Sequence, residues 1–242
     1  MSLHSYGSIV SGNVDYQIFR DFAENKGAFH PGATGITVHN KDMSHSITLD
    51  VPMPDFSSVT MGKSVYPDTG LKPGIATLIS PQYIVSVAHN RGHFPVKFGY
   101  QNSTKYNMNT REDNTDADFM AGRLDKLVTE VCPAIITDND NITDNNTSSF
   151  SRFYRVGGGT QKIWKDNKSI EIPNAAYMYL TGGTTPEHFT THGAGQMQTS
   201  MPGDIYTRDI LSSHLQQGDS GSPLFGWDSS QNRWELVGIA EG

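Results

Sequence analysis

Gly218-Asp219-Ser220-Gly221-Ser222-Pro223 is the stretch on which the reading of this chain rests. It follows a polar segment, Ser212 to Gln217, and leads into the apolar pair Leu224-Phe225. Gly218 has no side chain, so its backbone N–H can face an open site with no Cβ in the way. If the N–H groups of Gly218 and Ser220 converge, they stabilise a carbonyl oxygen that gains negative charge during acyl transfer. Gly221 lets the chain turn sharply behind Ser220, which is left as a nucleophile wherever a base stands close by. The same residue types also build ordinary polar hairpin turns. The rest of the chain has to decide between the two.

The 242 residues suffice for one large all-β domain or two small ones. Hydrophobic residues make up 36% and charged residues 18%, with 24 Gly and 12 Pro, a globular and turn-rich composition. No apolar run approaches the ~18 residues of a membrane span. A net charge of −7 argues against nucleic acid as a partner, because phosphate binding needs a basic face. The single cysteine, Cys132, excludes a disulfide within the chain and reads as a partly buried packing residue. Met1 to Gly12 lacks a basic segment followed by an apolar core, so it reads as a stub or tag rather than a signal peptide.

Ile18, Phe19 and Phe22 fall at helical spacing within residues 16–27, which predicts a short helix closed by Gly27. Residues 35–39, 45–51 and 59–65 read as short strands. Ile75–Ile79 and Tyr83–Val87, joined by Ser80-Pro81-Gln82, predict a hairpin of two buried strands running into Ala88-His89-Asn90. Residues 96–100 and 105–108 alternate as half-exposed strands. Arg111 to Asp116 reads as a charged loop. Residues 138–149, almost wholly Asp, Asn, Thr and Ser, read as a solvated connection in which the Asn141-Ile142-Thr143 sequon carries little weight. Beyond it, 153–156, 161–164 and 176–180 read as strands with glycine turns. Many short strands and little helix predict an all-β barrel or sandwich in two halves.

A serine nucleophile needs a base, and the base needs an orienting acid. Of nine histidines, His89 alone closes a strongly apolar strand, so a rigid sheet sets its position. The acid candidates are Asp113, Asp116, Asp118 and Asp125. Asp118 is preferred because it abuts Phe119, where the charged segment becomes apolar. Asp113 and Asp116 read as solvated, and Asp125 equally as a surface ion-pair partner. The order is then His89, Asp118, Ser220.

That order, the motif at 218–223 and the hairpin leading to His89 resemble chymotrypsin-fold serine proteases. Longer segments resemble the protease domain of the serine protease autotransporters of enteric bacteria, relatives of the immunoglobulin A proteases. They are residues 19–27 (FRDFAENKG), 31–34 (PGAT), 53–57 (MPDFS), Asp118-Phe119 with 123–128 (RLDKLV), and 218–225 (GDSGSPLF). The resemblance spans roughly 13–242 and includes Ser222, where chymotrypsin relatives carry Gly. It implies a chymotrypsin-like double β-barrel: a first barrel at about 30–137, a connection at 138–149 and a second barrel at about 150–242. The second barrel is expected to be truncated at the C-terminus. It further implies a secreted or surface-borne endopeptidase that needs no cofactor and cleaves host proteins, exported through the periplasm and outer membrane of a Gram-negative bacterium. Ser220 would be the nucleophile, His89 the general base, Asp118 its orienter, and the Gly218 and Ser220 amides the oxyanion hole. Family members also carry a signal sequence, a β-helical stalk and a translocator barrel on the same polypeptide, which are expected outside these 242 residues. The export route that the resemblance implies, through an outer-membrane pore, would account for the scarcity of cysteine.

The base of the specificity pocket is expected just upstream of the serine motif, at His214 and Leu215, favouring apolar or polar side chains over basic ones. An ordinary loop is an equal reading there. Asp219 is a candidate to pair with a buried cation or an amino terminus. The rival reading is an inactive, protease-like passenger acting as an adhesin or host-protein-binding module. His188 and His192, four apart, lack an HExxH pattern and give little support to a metal site.

Overall fold

A computed structural model describes residues 8–60, 74–91, 95–99, 104–139, 149–185, 189–191, 197–199, 209–215 and 218–241. Runs rich in β-branched and aromatic residues, cut by Gly, Pro, Asn and Asp, settle into short strands. In chain order these are β1 (Ile9–Ser11), β2 (Thr37–His39), β3 (Ser46–Thr48), β4 (Thr77–Ser80), β5 (Tyr83–Ser86), β6 (Met108–Asn114), β7 (Phe119–Leu124) and β8 (Phe150–Gly157). They continue as β9 (Lys162–Lys165), β10 (Lys168–Glu171), β11 (Thr181–Thr184), β12 (Phe189–Thr191), β13 (Met197–Thr199), β14 (Ser213–His214), β15 (Pro223–Asp228) and β16 (Arg233–Ile239). The all-β expectation holds, with one α-helix, α1 (Tyr16–Ala23), among the described residues.

Among the described residues, three four-stranded sheets carry the architecture, in the orders β4-β5-β7-β6, β11-β8-β15-β16 and β10-β9-β1-β14. The first contains the expected hairpin, with Leu78 opposite Ile84 and a tight Pro81-Gln82 turn. Its own core gathers Leu78, Ile84, Phe98, Tyr106, Met120 and Leu124. A larger core joins α1 and residues 29–59 to the second sheet through Phe19, Phe22, Phe56, Tyr154 and Phe225.

Helix α1 starts where the Asp15 carboxylate accepts the Gln17 N–H, and it buries Phe19, Phe22 and Ala23. It ends earlier than the sequence suggested. The left-handed terminator is Asn25 at φ 53°, not Gly27. The Lys26 N–H returns to the Asp21 carbonyl at 2.9 Å and the Asn25 N–H to Phe22 at 3.3 Å, a Schellman closure. Asn25 wins the position because its side chain also serves the packing. Its Oδ1 accepts from the Phe56 N–H, and its Nδ2 donates to the Phe29 and Pro54 carbonyls.

Other expectations are corrected. Arg111–Asp116 is mostly strand: residues up to Asn114 belong to β6, whose charged side chains suit a sheet edge. Residues 176–180 form turns, and the strand is the glycine-rich β11 that follows. A Cβ at Gly183 would lie 2.0 Å from the Leu211 carbonyl oxygen, so glycine there permits close backbone approach. Cys132 is exposed rather than packed, because the segment around it forms no strand. Residues 9–11, read as part of a terminal stub, form buried β1 between β9 and β14. Residues 61–65, His188, His192 and most of 138–149 lie outside the described residues.

Phe22 is fully buried and its ring meets Phe29, Phe56 and Tyr154 at centroid distances of 5.6, 5.7 and 5.2 Å. Phe22→Ala is expected to lower unfolding free energy by about 3–5 kcal/mol. Urea denaturation showing a loss below about 1 kcal/mol would mean that α1 is not docked as described.

Candidate active site

The base candidate and its acid come from neighbouring strands of one sheet. Strand β5 ends at Ser86, and the chain turns through Ala88-His89-Asn90. Strand β7 pairs with β5, with Met120 opposite Ser86, which brings the β6–β7 turn beside that segment. Asp118 closes this turn with φ 44°, a left-handed conformation that Asp tolerates better than most residues. Its Oδ2 lies 2.5 Å from His89 Nδ1, and its Oδ1 accepts the His89 backbone N–H at 2.9 Å. The Asp118 carbonyl accepts from the Ala88 N–H at 3.2 Å. One carboxylate thus grips residue 89 by ring and by backbone. A carboxylate at Nδ1 requires the proton there, which leaves Nε2 as the lone-pair nitrogen of the neutral ring. Half of the His89 side chain is exposed, while that of Asp118 is 17% exposed.

The other acid candidates lie elsewhere. Asp113 pairs with Arg111 at 2.7 Å and Arg91 at 2.9 Å, so it is bridged rather than merely solvated. Asp116 is exposed. Asp125 accepts from the backbone and side chain of Asn107.

Ser220 stands in a turn pressed against the β4–β5 hairpin. Gly221 has φ 87°, and a Cβ there would come within 2.1 Å of the Ile75 carbonyl oxygen and 2.2 Å of Ser86 Oγ. Only glycine fits. The Gly221 N–H donates to the Ala240 carbonyl at 2.7 Å, and the Ser222 N–H to Asp219 at 2.8 Å. Among the described residues, the N–H groups of Gly218 and Ser220 meet no protein acceptor. The Ser220 carbonyl accepts from Asn90 Nδ2 at 2.7 Å, so the nucleophile candidate is tied to the residue directly after His89. No hydrogen bond joins Ser220 Oγ to the His89 ring among the described residues.

Asp219 is fully buried and pairs with a buried cation, Arg155 of β8, at 2.7 Å. Its carboxylate also accepts from Ser8 Oγ at 3.0 Å and the Gly159 N–H at 3.2 Å. Arg155 reaches on to Ser213 Oγ at 2.7 Å. Sequence reading passed over Arg155, although a charged residue within Phe153-Tyr154-Arg155-Val156 is itself the signal of a buried pair.

His214 lies in β14 opposite Ile9, is buried, and has its Nε2 2.8 Å from Ser212 Oγ. Burial first, and the Arg155 guanidinium second, push its pKa down to about 3. The neighbouring Leu215 is exposed. Among the described residues no three His, Cys, Asp or Glu side chains gather as metal ligands.

Two outcomes follow from this charge arrangement. Arg155→Met strands the Asp219 carboxylate and is expected to destabilise the fold by about 3–5 kcal/mol in urea titrations; a loss under about 1 kcal/mol would deny the pair. His214 stays neutral in the native state down to about pH 3, while the unfolded chain takes up its proton near the ordinary value of 6.5. The unfolded state therefore binds more protons in that window, and stability falls as pH drops, by about 1.4 kcal/mol per unit below about 6. His214→Gln should flatten this slope; parallel stability profiles for parent and variant between about pH 6 and 4 would contradict a neutral buried His214.

The Serine protease SepA autotransporter of Shigella flexneri is 40% identical over 235 residues, covering 95% of this chain and 17% of that protein. Serine protease EatA of Escherichia coli O78:H11 is 40% identical over 241 residues, covering 97% of this chain and 17% of its own length. The chain therefore spans about 17% of these curated relatives. The crystal structure of the Haemophilus influenzae Hap adhesin superposes with a TM-score of 0.75 at 32% identity, over 96% of this chain and 26% of that one. Residues 7–242 match the immunoglobulin A1 protease family, peptidase S6, and the chain belongs to it.

Proposed function

We propose that this chain carries the catalytic machinery of a secreted serine endopeptidase, the passenger of an autotransporter. The observation that carries the reading is the two-point grip of Asp118 on His89, in a chain whose Ser220 carbonyl is bound by the residue after that histidine. Ser220 Oγ attacks the scissile carbonyl carbon, and His89 Nε2 takes its proton. Asp118 keeps the other ring proton on Nδ1 and stabilises the imidazolium that forms. The oxyanion is held by the Gly218 and Ser220 amides. His89 then returns the proton to the departing amine, leaving an acyl-enzyme on Ser220. Water, deprotonated by the same imidazole, releases the acid and restores the serine. Contacts at a catalytic serine are often long before substrate binds, so the lack of a Ser220–His89 bond does not remove the pairing.

The region of His214 and Leu215 forms part of the primary specificity pocket. Neither His214 nor Leu215 carries a carboxylate to meet a basic side chain, which favours apolar or polar residues before the cleaved bond. Host proteins are the substrate class. A β-helical stalk and a translocator barrel on the same polypeptide are the export partners, through the periplasm and outer membrane of a Gram-negative bacterium to the cell surface or beyond. The described residues hold no helix long and apolar enough to cross a membrane.

The likeness to the Hap adhesin favours a second reading, a passenger that binds host surfaces without cleaving. Fluorophosphonate labelling separates the two, because only an activated serine reacts. In the full-length protein, Ser220→Ala is expected to abolish labelling and to lower casein turnover by on the order of 10³–10⁶. Asp118→Asn should lower turnover by about 10⁴-fold by releasing the ring to the wrong tautomer. Parent-like casein cleavage by Ser220→Ala would end the protease assignment.

A further inference from the structure

The turn that carries His89 is held from two directions by residues outside the catalytic set. Arg111, on edge strand β6, donates from Nη2 to the Ala88 carbonyl at 2.7 Å and from Nη1 to the Asn90 carbonyl at 2.8 Å. These are the two residues on either side of His89. The guanidinium is itself oriented, because its Nε donates to Asp113 Oδ1 at 2.7 Å while Arg91 donates to Asp113 Oδ2 at 2.9 Å. Arg111 is only 17% exposed, so water competes weakly for these bonds. From the far side, Asn90 Nδ2 donates to the Ser220 carbonyl at 2.7 Å. That carbonyl otherwise meets the Ile75 N–H at a long 3.4 Å.

We propose that Arg111 and Asn90 are positioning residues that hold the His89 turn in register with the Ser220 turn. The proposal rests on the serine endopeptidase reading. Arg111 spans the turn like a staple, and its planar fork suits two carbonyls at a fixed spacing better than an ammonium does. Asn90 transmits that fixed geometry across the seam to the nucleophile's own peptide. Asp118 sets the direction of the imidazole ring, but neither of its oxygens reaches Ser220. Among the described residues, only Asn90 joins the base-bearing segment to the serine directly. Misplacement of reacting groups by about 1 Å can cost about 10²-fold in rate. A lost tie here should therefore appear in the chemical step rather than in substrate binding.

The test uses the full-length protein, a fluorogenic casein-derived peptide and fluorophosphonate labelling. The parent should label and Ser220→Ala should not. A parent that fails to label refutes the endopeptidase reading and the proposal with it. Given a labelling parent, Asn90→Leu, which keeps size but removes the donor, and Arg111→Met should each lower kcat and the labelling rate by about 10–100-fold, with KM within about threefold of the parent. Arg111→Lys should recover part of the loss. The double variant should lose less than the product of the single losses, because both residues act on one segment. If both single variants keep kcat within about threefold of the parent, or lose only through KM, the proposal falls while the endopeptidase reading stands. Should Asn90→Leu fail to fold, Asn90→Ser is judged by the same readouts.

Discussion

A carboxylate with no exposure to solvent sits one residue before the candidate nucleophile, and much of the surrounding structure answers to it. Asp219 would be untenable alone in the interior, since an unpaired buried charge costs several kcal/mol. Arg155 meets it at 2.7 Å, with the two side chains 2% and 0% exposed. Arg155 then needs acceptors for its remaining donors and finds Ser213 and the His214 carbonyl. Ser8 and Gly159 complete the carboxylate. One ion pair therefore draws β1, β8, β14 and the serine turn to a common point. Burial chiefly, and the Arg155 guanidinium after it, keep the neighbouring His214 uncharged.

The second constraint is steric. Gly221 presses against Ile75 and Ser86 at distances that no Cβ could share. Ser86 Oγ in turn donates to the Ile75 carbonyl at 2.6 Å, bracing the start and end of the same hairpin. This contact sets Ser220 against strand β5, and β5 leads directly to His89. Asp118 arrives from the next hairpin because β7 pairs with β5 in a register that places Met120 opposite Ser86. His89 and Asp118 thus meet through strand pairing, and the Ser220 turn is tied to the same segment through Asn90 and the close approach of Gly221.

The parts legible in the sequence were those with local causes. The β4–β5 hairpin showed itself as two apolar runs around Pro81-Gln82, and α1 as apolar residues at helical spacing. His89, Asp118 and the serine turn stood out because each lies where an apolar run meets a polar one. Residues whose state depends on distant partners were misread. Arg111 to Asp116 looked like a charged loop because an edge strand tolerates charge on both faces, and pairing with β7 cannot be seen locally. Residues 176–180 looked like a strand, but the strand is the β11 that follows, whose Gly182 and Gly183 are demanded by the close backbone at Arg155 and Leu211 far along the chain. Cys132 looked packed from its apolar neighbours, yet the segment never entered a sheet.

Sequence alone determined the all-β class, the residue types of the candidate triad and their order, since these depend on patterning and on glycine, proline and acid placed within a few residues. Tertiary structure decided which cation neutralises Asp219, which residues brace the His89 turn and how closely the serine turn abuts the hairpin. The physical reason is that charge pairing, carbonyl acceptance and close backbone approach are properties of two distant segments at once. Neither segment's own sequence records them.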